Sequence, residues 1–267
     1  MSGNLFIVAT PIGNMGDITQ RARQVLESCD LILAEDSRVT GTLLGMLGIS
    51  KKVLSYHKFT EKKFLDGHIE ELKSGKNIAL VSDAGTPAVS DPGKFIVRAA
   101  LDNGIPVIPV PGACAAAVAF SSSGSMSDSF IFAGFLPSKG AERDESLGKF
   151  LSYGLPVIFY EAPTRIKDLV KKLQDAECRI VVMRELTKHF EEIFAYDGRE
   201  IKEKGEFTVV AEPAIAKKET VEIDTQLLDM IKASPLSAKD ASVLLSRIYP
   251  NIPKNEIKKH FMTGRNS

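Results

Sequence analysis

Short, uninterrupted apolar runs constrain this chain more than any other feature. Leu5–Ala9, Leu31–Ala34, Ile78–Val81 and Pro106–Val110 show no polar and apolar alternation. A strand of that kind must bury both faces, which is the situation of a parallel sheet covered by helices. Between most of these runs lie segments with helical spacing, such as Ile18, Ala22, Val25 and Leu26, so the order reads strand, helix, strand, helix. The first 120 residues are therefore expected to form one open α/β sheet.

After the polar stretch Ser121–Ser125 the runs resume at Phe130–Phe135, Pro156–Tyr160, Ile180–Met183 and Phe207–Ala211. A boundary between two lobes is placed there. One helix is expected to contain Leu147–Leu151, and Ile166, Leu169, Val170 and Leu173 make the apolar face of another, with Pro163 suited to its first turn. Between Arg184 and Phe207 the sequence predicts one short helix around Gly198–Lys204, so the second sheet should be mixed. Pro235, Pro250 and Pro253 divide the C-terminal segment into three short helices, with Ser237 and Asn251 near two of their starts. The expected architecture is an α/β lobe over residues 1–121, a second over 122–220, and a helix-turn-helix-like tail over 221–267.

Composition narrows the function classes. Apolar residues make up 44% and charged residues 25%, and the 34 Lys and Arg equal the 34 Asp and Glu, an ordinary globular balance with no basic coat. Residues 225–267 hold seven Lys/Arg against three Asp/Glu, a net +4 that leaves −4 for the rest, so a polyanion contact is sought at that end. Cys29, Cys114 and Cys178 are odd in number and widely spaced, which argues against a disulfide framework or zinc site and fits a reducing cytoplasm. The N-terminus lacks a basic, long apolar leader, and the most apolar later run, Ala113–Phe120, is too short to span a bilayer. Export and membrane insertion are not expected. Phosphate-loop, dinucleotide, zinc-protease and hydrolase-elbow motifs are missing, the four histidines are scattered, and no resident metal is expected.

Ligands of open α/β sheets bind beyond the carboxyl ends of the strands. Three such segments here combine proline with glycine: Pro11-Ile12-Gly13-Asn14, Ser82-Asp83-Ala84-Gly85-Thr86-Pro87 and Pro111-Gly112-Ala113-Cys114. Proline fixes φ and glycine allows close backbone approach, so these loops can present N–H and C=O groups to a ligand at little ordering cost. In the second half, Tyr160–Arg165 and Arg184–Lys188 put charge at strand ends, where Glu161, Arg165, Arg184 and Glu185 either face a cleft or pair with one another.

The segments ATPIGNMGDIT, AEDSRVTGTLL, LVSDAGTPAVSDPG, VPGACA, FAGFLPSK, FYEAPTR and RELTKHFEE, in that order, resemble the bacterial ribosomal RNA small-subunit methyltransferase I family across nearly the whole chain. SDAGTP and the PGA turn are similar to those throughout the tetrapyrrole-methylase fold. ATPIGN, AEDSR, GFLP and RELTK together resemble its rRNA branch. The chain departs from the family pattern at Val39 and Thr164, where histidines are expected, and at Lys58–Thr60, where an Asn-Glu pair is expected.

The resemblance implies two α/β lobes with S-adenosylmethionine in the cleft between them, a homodimer, and methylation of a cytidine ribose 2′-oxygen in the decoding region of 16S rRNA in the small ribosomal subunit. Resemblance and loop chemistry together assign Pro11, Asp83, Ala84, Gly85, Ala113 and Cys114 from the first lobe, and Phe135, Leu136, Tyr160 and Pro213 from the second, to the cofactor. Strand-end placement makes Asp36, Glu161, Arg184 and Lys188 the candidates for activating a poorly nucleophilic hydroxyl. Arg21, Arg23, Arg38, Lys139, Arg143 and the basic tail are the candidates for phosphate contacts. Rival readings are methylation of a tetrapyrrole carbon or a modified histidine, and a non-catalytic rRNA-binding assembly factor. A flavodoxin-type regulator would need a phosphate loop that the chain lacks.

Overall fold

A computed structural model describes residues 2–57, 61–214 and 225–249. Five strands, β1 (Leu5–Val8), β2 (Leu31–Ala34), β3 (Val53–Ser55), β4 (Ile78–Val81) and β5 (Val107–Val110), form a wholly parallel sheet in the order β3-β2-β4-β1-β5. The continuous apolar runs serve both faces of that sheet. Leu31, Leu33, Ile78 and Leu80 pack on one side with Leu72 of α3 (Glu61–Lys73) and Ile96 of α4 (Lys94–Asp102). The intervening Ile32, Ala34, Ala79 and Val81 pack on the other with Leu26 of α1 (Gln20–Ser28) and Leu44 of α2 (Ser37–Leu47). Each fully buried Leu or Ile stabilises by about 1.5–3 kcal/mol, so both faces contribute.

Helix α5 (Ala115–Ser122) joins the lobes. Its small residues Ala116 and Ala119 sit in a core with Ile12, Ile158, Val181, Met183, Leu186 and Val210. The second sheet consists of β6 (Ile131–Phe135), β7 (Val157–Glu161), β8 (Arg179–Arg184), β9 (Glu192–Ala195) and β10 (Phe207–Glu212), in the order β6-β7-β10-β8-β9. Only β6 and β7 pair in parallel, which makes the sheet mixed, as expected. Its far face carries α6 (Ala141–Leu151) and α7 (Ile166–Asp175), where Leu147, Ile166, Leu169, Val170 and Leu173 meet Val157, Phe159, Val182 and Val209. Pro163 opens a 3-10 turn, Pro163–Arg165, that leads directly into α7.

One expectation fails. Residues 198–204 form no helix, and the element between β8 and β10 is the strand β9. The segment lacks an apolar stripe, with Ile201 alone buried, so nothing rewards helical winding there. β9 instead pairs antiparallel to β8 at the sheet edge with alternating burial. The three-residue edge strand β3 likewise registers as no apolar run. Lys58–Thr60 lies outside the described residues.

The chain divides into two compact units, Met1–Pro213 and Ala214–Ser267. In the second, α8 (Thr225–Ala233) and α9 (Ala238–Ile248) are described. Ser237 caps α9, its hydroxyl accepting from the Asp240 N–H at 3.2 Å, as its position before an apolar-periodic segment predicts. The third expected helix and Asn251 lie outside the described residues. Among the described residues no helix is long and apolar enough to cross a membrane.

Candidate active site

Because β4, β1 and β5 are neighbours, the three proline- and glycine-bearing loops meet at one sheet edge. They are bonded to one another. The Thr10 N–H donates to the Gly85 carbonyl at 2.9 Å and the Gly85 N–H returns the bond to Thr10 at 3.1 Å. The Thr86 hydroxyl donates to the Ala113 carbonyl at 2.9 Å. Gly85 has φ +80°, and a Cβ there would lie 3.2 Å from Ile12 Cγ2, so conformation and space both favour glycine.

Two compartments adjoin at this edge. The first, of about 330 Å³, is walled by Ile12, Ala84, Gly85 and Cys114 from the first lobe and by Phe135 and Tyr160 from the second. Tyr160 reaches across the lobes, its hydroxyl oxygen accepting from the Ala116 N–H at 3.1 Å, at the start of α5. Burial raises the Tyr160 phenol well above its ordinary pKa, so it remains neutral. Asp91 and Glu206 add carboxylates. Burial, opposed by Ser82 and reinforced by the Asp83 charge, raises the Asp91 pKa.

The second compartment, of about 460 Å³, shares Ile12, Ala84 and Glu206 with the first and adds Pro11, Asp83, a face of α2, and Lys188. The loop carrying Lys188 is strained, with the non-glycine residues Glu185 and Thr187 at φ 54° and 65°, a cost of about 1–3 kcal/mol each. It is held because the Glu185 N–H donates to the Glu206 carbonyl at 2.9 Å, the Glu206 N–H to Glu185 Oε1 at 2.8 Å, and Leu186 is buried between the lobes. Lys188 Nζ lies 3.0 Å from Glu185 Oε1 and 2.9 Å from Glu206 Oε2. Desolvation works to lower its pKa, but those two carboxylates prevail and hold it above the ordinary lysine value. Its stem passes so close to the first lobe that a Cβ on Gly13 would lie 2.3 Å from Lys188 Cγ.

The other candidates fall in different places: Glu161 lines the first compartment, Asp36 lines neither, and Arg184 lies elsewhere. Both oxygens of buried Glu161 are engaged, Oε2 by Arg143 Nη2 at 2.6 Å and Oε1 by Arg165 Nε at 2.8 Å and the Ala162 N–H at 2.8 Å. Asp36 caps α2 through the Arg38 N–H, and pairing with the Arg38 guanidinium brings its pKa down to about 2, which makes it a feeble base. Arg184 is engaged by Glu192 in a two-pronged pair and faces a separate surface hollow.

The residues assigned to the cofactor divide in the same way. Ala84, Gly85, Cys114, Phe135 and Tyr160 line the first compartment, Pro11, Asp83 and Ala84 the second. Ala113, Leu136 and Pro213 line neither. The Leu136 side chain belongs to the second lobe's core. Of the phosphate candidates, Arg21, Arg23, Arg38 and Lys139 are exposed. Arg143 must be withdrawn: it is 3% exposed and joins Glu161 to Asp168. A long cation beside an acidic strand end is the sort of residue that folds inward, which a count of surface charge does not register. Asp91 and Glu206 were not singled out from the sequence. The second Ser-Asp pair, Ser90-Asp91, after Ser82-Asp83 and the Gly-Glu step before β10 were the available signals.

Residues 4–202 match the model of the family described as Tetrapyrrole (Corrin/Porphyrin) Methylases. Proteins named Ribosomal RNA small subunit methyltransferase I are 41% identical in Pasteurella multocida, over 93% of both chains, and 39% identical in Escherichia coli O157:H7, over 97% of this chain and 94% of that one. The native form of uroporphyrin III C-methyltransferase from Thermus thermophilus superposes with TM-score 0.54 at 15% identity, covering 78% of this chain and 97% of that one. A cobalt precorrin-4 methyltransferase gives 0.56 at 19%, covering 78% and 94%. The structural likenesses concern the fold, and the sequence relatives identify the branch: this chain belongs to the tetrapyrrole methylase family, among the ribosomal RNA small subunit methyltransferase I proteins.

Proposed function

We propose that the chain methylates the 2′-oxygen of a cytidine ribose in the decoding region of 16S rRNA, using S-adenosylmethionine and acting as a homodimer on the small ribosomal subunit. The observation that carries this reading is the pairing of two compartments across one shared wall, one bounded by the proline- and glycine-bearing loops and by Phe135 and Tyr160, beside one that holds a cation. The first compartment fits the cofactor: about 300–1,000 Å³ is the usual range for such ligands, and its loops are rigid before binding. Asp91 and Glu206 offer carboxylates to a cationic ligand, and a positive charge there would offset the cost of burying a charged Asp91.

The cofactor supplies an electrophilic methyl group on a positively charged sulfur, and its transfer to oxygen is an in-line displacement that requires reacting atoms about 3–3.5 Å apart. Lys188 stays protonated, so it acts as a fixed positive charge that stabilises negative charge developing on the acceptor oxygen. Glu206, which lines both compartments, is placed to take the hydroxyl proton. Tyr160 holds the start of α5 and closes the first compartment against water. The buried Arg143–Glu161–Arg165 cluster positions the turn after β7 and takes no part in proton transfer. Arg21, Arg23, Arg38 and Lys139 contribute phosphate contacts, a term that weakens steeply with salt.

The test is transfer of labelled methyl to purified small subunits, with bare rRNA and a tetrapyrrole precursor in parallel, followed by nuclease mapping. Label on a cytidine 2′-oxygen in the subunit is expected. Label confined to the tetrapyrrole would overturn the proposal, and tight cofactor binding with no label would point to the non-catalytic reading.

A further inference from the structure

Helix α2 has two apolar faces: one is buried in the fold, and the other, where Leu43 packs only partly against the same core, is left largely open. Leu44 and Leu47 enter the first lobe's core, with Thr40 buried beside them. Val39, Thr42, Leu43 and Met46, spaced three and four apart, line the second compartment together with Met15 from the turn after β1. Val39 is 43% and Met46 66% exposed. An apolar stripe open to solvent and rimmed by polar groups marks a binding surface.

We infer that this second compartment seats one unstacked nucleoside of the RNA substrate, its base against the Val39–Leu43–Met46 stripe and its ribose hydroxyl toward Lys188. The inference rests on the reaction proposed above and deepens it. Three features of the compartment favour this occupant. Its walls are aliphatic carbon and methionine thioether, a soft surface that accepts the flat face of a base. Its polar end carries the Lys188–Glu206 pair on the wall shared with the first compartment, so a ligand lying along the stripe has its polar end beside the proposed methyl source. Next to Val39 in the chain, Arg38 has a side chain 89% exposed, so a flanking phosphate can reach its guanidinium while it stays paired with Asp36. A base stacked in a helix cannot enter such a hollow, so the nucleotide must be swung out of the stack. The stripe thus offsets the unstacking cost by covering the base again.

Val39→Trp fills the compartment from an exposed position without touching the core or the first compartment, and Leu101→Trp, on the exposed side of α4, controls for added surface aromatic area. In the full chain, V39W is expected to lower kcat/KM for small subunits by about 10²-fold, the usual cost of misplacing a reacting group. Its melting temperature and its calorimetric affinity for S-adenosylmethionine should match wild type, and L101W should behave as wild type throughout. A second readout does not depend on turnover. With labelled methionine methyl groups, addition of S-adenosylhomocysteine and a short cytidine-containing RNA should shift Met15 and Met46 by ring currents and leave Met126, 97% exposed, unmoved. Wild-type methylation of subunits with V39W equally active, or RNA binding that leaves Met15 and Met46 unshifted, overturns the nucleoside seat while the reaction stands. Wild-type failure on subunits, or label only on a tetrapyrrole, overturns both.

Discussion

The two lobes meet at the same cleft with opposite materials. The first lobe contributes backbone: loops stiffened by proline, pinned by the Thr10–Gly85 exchange and the Thr86–Ala113 bond, with few charges of their own. The second contributes charged side chains, nearly all held by partners, as in the Arg143–Glu161–Arg165 cluster, the Arg184–Glu192 pair and the Glu185–Lys188–Glu206 group. Backbone atoms can recognise a ligand in a fixed position but cannot take up a proton or supply a full charge. On the function proposed above, the division gives most of the binding backbone to the first lobe and the chemistry to one group of the second.

The sharpest way to break this comparison is Lys188→Met. Removing the cation should lower kcat about 10²–10⁴-fold, the range for a positioned catalytic group, with S-adenosylmethionine affinity by calorimetry unchanged. The wild-type rate should not decline from pH 7 to 9 through this group: its pKa is raised, so its charge is complete below the ordinary lysine value and is lost only as pH climbs through the higher folded one. A parallel loss of cofactor affinity would show that the lobes do not divide the work. Glu161→Ala probes the structural half of the charged lobe. It leaves Arg143 buried without its carboxylate, and breaking such a pair costs about 3–5 kcal/mol, read as a lower denaturant midpoint. A melting temperature equal to wild type would contradict the structural role.

Gly85→Val tests the backbone half. A β-branched residue at φ +80° adds about 1–3 kcal/mol of strain, and the side chain blocks close approach, so cofactor binding should be lost in a folded protein. Unchanged affinity would remove the loop from the site. The smallest effect concerns Cys178, whose thiol burial pushes up to about 11. It should resist alkylation at pH 8 with the protein folded and react on denaturation, and rapid native labelling would contradict its environment.

The first lobe was legible because each of its four apolar runs must satisfy two faces at once, leaving little but a parallel sheet between helices. The loops were legible for a related reason, since proline and glycine state their backbone role in the residue itself. In the second lobe the same reading lost precision. β9 rests on a ladder with β8, a pairing between segments that no local pattern carries, so the stretch between Arg184 and Phe207 shows no strand in its sequence. Strand-end charge also proved ambiguous: Glu161, Arg184 and Lys188 look alike in the chain, and only the fold shows Glu161 saturated by Arg143 and Arg165, Arg184 turned to Glu192, and Lys188 held beside Glu206 at the second compartment. The burial of Arg143 follows from the same fact, because its counter-charges, Glu161 and Asp168, come from β7 and α7.

A crystal structure with S-adenosylhomocysteine tests the division of labour most directly. The account predicts the nucleoside and amino-acid parts in the first compartment, against Gly85, Cys114 and Tyr160, with the sulfur directed toward the wall shared with Lys188. Density for the cofactor along the α2 stripe, with the first compartment unfilled, would contradict it.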